Sequence, residues 1–322
     1  MAHLVEHMAY VGATPWHGLG EQLPSGQPIE VWQRAAGMDW SIEETPVRYL
    51  TDQKGNLGNI MAFEDQKVLY RSDTKAALSV VSKRYQVVQP REVLNFYRGL
   101  TDYNDFELET AGVLKGGRKF WALARTGQST VLKGGDEVNG YLLLATSCDG
   151  SMATTATPTT IRVVCNNTLS IAVDRAPQAI RVPHNTQFDE AAVKRQLGIT
   201  VSTWDDFMIR LRALSERKVK SHEAMNYFLN VLCAADDPSL LGQGLTNERA
   251  LTRALALYDG EGRGSELVSA KGTAWGLVNA VTEFVDHERR ARSTDNRLDS
   301  AWFGTGAQIK QKALDQALLM VA

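Results

Sequence analysis

The chain has 322 residues, of which 43% are hydrophobic and 22% charged, and a formal net charge of -2. That length gives one large domain or two ordinary ones, the apolar content excludes a disordered chain, and the balanced charge excludes a polyanion binder that uses its whole surface while leaving room for a local basic face. Three scattered cysteines, Cys148, Cys165 and Cys233, form no CxxC pair, which argues against a cysteine zinc site and a disulfide framework and suits reduced thiols in a cytoplasm.

Residues 1–70 read as an N-terminal β and loop region. The opening MAHLVEHMAYVGATPWHG lacks the basic start and apolar centre of a signal peptide, and no apolar run in the chain approaches the roughly 20 residues that span a bilayer. The expected setting is therefore cytoplasmic, with no membrane partner. Ile29 to Ala36 is predicted as a short helix with Ile29, Trp32 and Ala36 on one side, and TDQKGNLGN is rich in turn formers.

Residues 71–185 are predicted as an α+β core. VLYRSD and YQVVQ read as strands. Pro90 opens a helix in which Val93, Leu94 and Tyr97 share a face. FELETAGVL and KFWALAR then form a hairpin through KGGR, whose glycines accept positive φ. VLKGGDEVNG supplies a further turn, and YLLLATS and SMATTAT pair around Cys-Asp-Gly-Ser, which makes a central antiparallel β-meander. In TPTTIRVVCNNTLSIAV, the residues Ile161, Val164, Cys165, Thr168, Leu169 and Ala172 recur at helical spacing, with Thr157 as cap and Pro158 in the first turn. That predicts a helix over 157–173 carrying Arg162 and Asn166 on a separate polar stripe. Residues 186–322 read as a mainly helical region. FDEAAVKRQLGI, WDDFMIRLRALSERK, SHEAMNYFLNVLCAA, TNERALTRALALY, TAWGLVNAVTEFVDHERRAR and AQIKQKALDQALLMV each show the period of a helix.

No catalytic motif stands out. The GG pairs in LKGGRK and LKGGDE match neither a phosphate loop nor a dinucleotide fingerprint, and of the six histidines His3 and His7 are spaced to share a metal on a helix but have no evident third ligand, so no catalytic residue, metal or cofactor is expected. Charge is more informative. Between Ala111 and Val182 stand the bases Lys115, Arg118, Lys119, Arg125, Lys133, Arg162, Arg175 and Arg181 against the acids Asp136, Glu137, Asp149 and Asp174, with Phe120, Trp121 and Tyr141 interleaved. Basic side chains that track a phosphate backbone beside aromatics that stack bases are the pattern of single-strand binding.

TPWHGLG, SKRYQVVQ, ETAGVLKGGRKFWALAR, GGDEVNGYLLLATSCDGSMA, TPTTIRVVCNNTL, TAWGLVNAVTEFVDH and FGTG resemble a phage and plasmid family recorded as a domain of unknown function, which implies that the cytoplasm is bacterial. The order of helix, hairpins and a closing helix is also similar to the core of the single-strand annealing recombinases of the RecT, Red-beta and ERF group. That resemblance implies an ATP-independent, ring- or filament-forming homo-oligomer that binds and anneals single-stranded DNA in recombination, with a phage or host recombination partner. It implies phosphate contacts by Arg118, Lys119, Arg125 and Arg162, with Asn166 and Asn167 as hydrogen-bonding candidates. Lys115, Trp121 and Lys133 complete the expected nucleic-acid-binding set. Two further readings are a non-enzymatic host-interaction or anti-defence protein and an enzyme built on His17, His184 or Cys165.

Overall fold

The computed structural model describes residues 7–12, 20–51, 58–101, 106–162, 167–170, 172–173, 176–177, 179–201, 204–233 and 247–322. In chain order the strands and helices begin with β1 (His7–Val11), β2 (Glu21–Leu23), α1 (Ile29–Ala35), β3 (Ile42–Leu50), β4 (Ile60–Arg71), β5 (Ala77–Ser82) and α2 (Pro90–Thr101). There follow β6 (Glu107–Leu114), β7 (Lys119–Leu132), β8 (Asp136–Ser147), β9 (Thr154–Arg162), β10 (Asn167–Ser170), β11 (Ala172–Val173), β12 (Ala176–Pro177) and β13 (Ile180–Val182). The remaining elements are the helices α3 (Glu190–Val201), α4 (Trp204–Glu216), α5 (Ser221–Leu232), α6 (Glu248–Ala256), α7 (Ala274–Glu283), α8 (Thr294–Phe303) and α9 (Thr305–Leu318). The fold class is α+β with a helical C-terminal region.

The main sheet runs in the order β10-β9-β8-β7-β6-β1-β2, and β13 also pairs with β9. Its ladders are antiparallel except for β1 with β2. The runs FWALA and YLLLA carry no polar alternation because both faces of the sheet are covered. Phe120, Ala122, Ala124, Leu142 and Leu144 face a core shared with Trp32 of α1, with Val93, Leu94, Phe96 and Tyr97 of α2, and with Leu69 and Leu78. Tyr97 fixes α2 there by donating to the carbonyls of Ala122 and Leu142 at 2.9 and 3.0 Å. Alternate residues Trp121, Leu123, Tyr141 and Leu143 face the other way, against Leu298, Trp302 and Phe303 of α8.

The β7–β8 hairpin reaches past the sheet, and Leu132 and Val138 near its tip enter the core formed by α4 to α9. Gly134 and Gly135 turn the chain with φ of +88° and +81°, a region that side-chain-bearing residues avoid. Asp136 then lies 1% exposed and accepts from the Ser269 hydroxyl at 2.6 Å and from Trp275 Nε1 at 3.1 Å. In the same bundle Lys310 Nζ meets Asp286 at 2.8 Å, both side chains buried. Burial pulls the Lys310 amine down from its usual range, and Asp286 opposes that.

Three sequence expectations are corrected. The helix predicted over 157–173 is strand where it is described: Thr154–Arg162 is a strand on β8, and Asn167–Ser170 returns along it. The apolar spacing fits either period, and the β-branched run of Thr154, Thr155, Thr157, Thr159, Thr160 and Ile161 favours the pleated one. Pro158 falls between the stretches that β13 and β10 pair, so its missing N–H breaks no pairing on that edge. YQVVQ is likewise no strand, because β5 ends at Ser82. Helix α8 was not expected. Its TDNRLDSAWF has few apolar residues, although Ser293 caps it by accepting from the Asn296 N–H.

A three-stranded sheet, β3-β4-β5, stands beside the main one. Its root is fixed by Arg71, whose guanidinium lies 4.3 Å from the Trp40 ring centre and bonds Asp73 at 2.7 and 2.9 Å. The Arg71 hydrogen bond holds the Asp73 carboxyl at a pKa of about 2, below its ordinary 3.8. A depressed carboxyl contributes stability above its unfolded pKa and loses it as pH falls toward the folded one. Acid unfolding between about pH 4 and pH 2 is therefore expected to be shallower in Asp73→Asn. The difference at neutral pH should stay under about 1 kcal/mol, since the carboxylate is partly exposed. Urea unfolding at stepped pH checks this, and identical profiles contradict it.

Candidate functional site

The basic strand face expected from the sequence is largely internal. Trp121 is 0% exposed, edge-on to Trp302 with ring centres 4.6 Å apart, so no base can stack on it. The strand alternation that puts Phe120 in one core puts Trp121 in the other. Lys119, on the same face, is 7% exposed; its Nζ and that of Lys115 both contact Asp299 of α8 at 2.6 Å. Arg125 pairs with Glu109 at 2.8 Å, and Glu109 also accepts from the Tyr141 hydroxyl. These cations are already answered by carboxylates of this chain.

Arg118 and Lys133 are exposed, on two turns at opposite ends of β7. Arg162 ends β9 with its backbone opposite Val138 and Asn167. Its side chain and Asn166 lie outside the described residues, as do His17 and Cys165.

What the fold does bring together is one end of the main sheet. The turn 115–118 between β6 and β7, the Cys-Asp-Gly-Ser turn between β8 and β9, and the exit of β13 all lie there, because antiparallel neighbours alternate their ends. Strand β5 and the segment after it join them: Ser79 Oγ of β5 donates to the Cys148 carbonyl, and Tyr85 donates to the Ser147 carbonyl at 2.8 Å, while the Cys148 N–H donates to the Arg118 carbonyl. The Tyr85 and His184 rings stack at 4.4 Å. Both His184 ring nitrogens lie 3.0 Å from carbonyls, those of Gln86 and Met152, which makes this histidine a latch between segments.

Around this latch Lys83, Arg84, Arg118 and Arg181 are exposed. Among the described residues Lys83 has only a 3.9 Å approach to Glu64, and no ion pair holds Arg84, Arg118 or Arg181. Besides Glu64, Asp149 lies nearby, and its carboxylate already accepts from the Ser151 N–H at 2.9 Å. Sequence reasoning counted Arg118 and Arg181 but passed over Lys83 and Arg84, although two adjacent bases at a strand end, in SKRY, were the available signal.

The cysteine of this turn offers no nucleophile. Burial, with Asp149 next in effect, pushes the Cys148 thiol up to about 12, so it stays protonated at neutral pH. Among the described residues no group of three or more His, Cys, Asp or Glu side chains is placed to hold a metal ion, and no helix is long and apolar enough to cross a membrane.

Comparison with known proteins gives one match. A family described as a domain of unknown function, DUF932, has a model that matches residues 77–302, from β5 to α8. No curated protein and no solved structure matches the chain.

Proposed function

The chain belongs to the DUF932 family, and on the geometry above we propose that it is a non-enzymatic binder of single-stranded nucleic acid that uses the basic end of its main sheet. The observation that carries this reading is the set Lys83, Arg84, Arg118 and Arg181, exposed at one end of the main sheet, the first three on turns and Arg181 on the short strand β13 that leads to His184 of the Tyr85–His184 stack. The guanidinium groups of Arg84, Arg118 and Arg181 suit phosphate oxygens, and a chain near neutral overall then binds through one place instead of everywhere. Annealing of complementary strands in phage or plasmid recombination is the activity such a site would serve. Charge alone supports that step, because the closing helix that resembled the annealing recombinases is strand.

Fluorescence anisotropy of a labelled single-stranded oligonucleotide, with a duplex of equal length as control, tests the reading across a salt series. Single-strand binding that weakens with salt is expected. Arg84→Glu, Arg118→Glu and Arg181→Glu combined should lower the log–log salt slope by about 2, at roughly 0.7 per lost contact, with thermal unfolding unchanged. Absence of binding at low salt, or affinity untouched by the triple variant, overturns it.

A further inference from the structure

We infer that the β3–β4 arm is a self-association surface whose occupant is a second copy of this chain. The pairing of β3 with β4 shifts register between Pro46 and Val47, leaving Glu64, Asp65 and Gln66 without partners on β3. Beyond this bulge the two strands continue as a ribbon, Val47 opposite Phe63, Arg48 opposite Ala62, Tyr49 opposite Met61 and Leu50 opposite Ile60. Strand β5 supports β4 only at 66–70, so the 60–63 stretch of β4 keeps an open edge among the described residues.

Opposed residues share a face of the ribbon. One face carries Val47, Tyr49, Met61 and Phe63. The other carries Leu50, Ile60 and Ala62 beside Arg48. Tyr49, Leu50, Ile60, Met61 and Phe63 are 44–68% exposed, five of the eleven exposed large hydrophobic residues among the described ones. A ribbon that rests one face on its own core alternates apolar with polar side chains, and this one does not. Open edges with apolar faces on both sides are what strand pairing between chains requires.

A two-fold partner meets both needs with one patch, since the same residues are offered by each copy. The 60–63 edge pairs antiparallel with its counterpart, and each ribbon covers a face of the other. Covering five roughly half-exposed large side chains removes on the order of 500 Å² per copy, so the pair reaches the order of 1,000 Å², the size of the smaller specific interfaces. The apolar stretch holds one cation, Arg48, too little charge to track a phosphate backbone or an anionic lipid surface, and the acids Glu43, Glu44 and Glu64 at its root are answered by Lys75, Lys67 and Lys83, so the exposed apolar area favours a protein occupant.

The association needs no nucleic acid, so its failure and that of the binding site are separable. Sedimentation velocity of the full chain without nucleic acid, over a concentration series, tests it. The native sequence should run at the mass of a dimer or a larger assembly. Met61→Lys with Phe63→Glu should run as monomer at every concentration with an unchanged thermal transition, and Tyr49→Lys, on the opposite strand, should weaken association in the same direction. Monomeric mass for the native sequence throughout, or assembly retained by both variants, overturns the inference.

Discussion

Asp299→Ala is expected to lower the unfolding free energy by about 3–5 kcal/mol, the range for removing one partner of a buried ion pair. Asp299 is 14% exposed at its side chain and takes two amines, Lys115 and Lys119. The Lys115 side chain is 34% exposed and can turn to water, but that of Lys119 is 8% exposed and would be left without a hydrogen-bonded carboxylate, beside the Phe303 ring 5.8 Å away and within the field of Asp149. The cost is thus set by stranding one charge. Replacing both members with apolar residues, as in Lys119→Met with Asp299→Leu, should recover most of the loss, because desolvation of the pair disappears with it. Urea unfolding of the three variants measures this. Stability unchanged in Asp299→Ala would mean that Lys119 reaches solvent by another route, and would return it to the list of available phosphate contacts.

Asp136→Ala should cost about 2–4 kcal/mol, the range for leaving buried donors unsatisfied near a lost charge. The Ser269 hydroxyl and Trp275 Nε1 both lose an acceptor inside the helical core. Ser269→Ala removes one donor and leaves the other in place, so about 1 kcal/mol is expected there. Hydrogen exchange should quicken first at the β7–β8 tip and the start of α7, since Asp136 joins them. Uniform acceleration across the main sheet would contradict a local role.

The C-terminal helices and the core hairpins were legible because their signals are local. A helix such as WDDFMIRLRALSE displays its buried face in its own spacing, with Phe207, Leu211 and Leu214 enclosed. KGGR announces a turn through glycines that take φ of +69° and +96°. What stayed hidden depends on distant partners. Nothing near Lys119 in the sequence names Asp299, 180 residues away, and an apolar run such as FWALA declares a strand without declaring that both faces are covered. Residues 157–173 fit two periods, and composition should have decided between them. The arm was readable in part: residues 1–70 read as β and loop, and VRYL and IMAF flank the turn-rich TDQKGNLGN, a hairpin signal from which no pairing was drawn.

The covering of Trp121 by Trp302 has a consequence for synthesis. The two residues are 181 positions apart, 302 less 121, so the strand face leaves the ribosome long before α8 exists to close it. At roughly 5–20 residues per second the wait is about 10–35 s. Throughout that interval Trp121, Leu123, Tyr141 and Leu143 stand open on a nascent sheet. A truncation before Thr294 would convert the transient exposure into a permanent one, since Leu298, Trp302 and Phe303 would be missing.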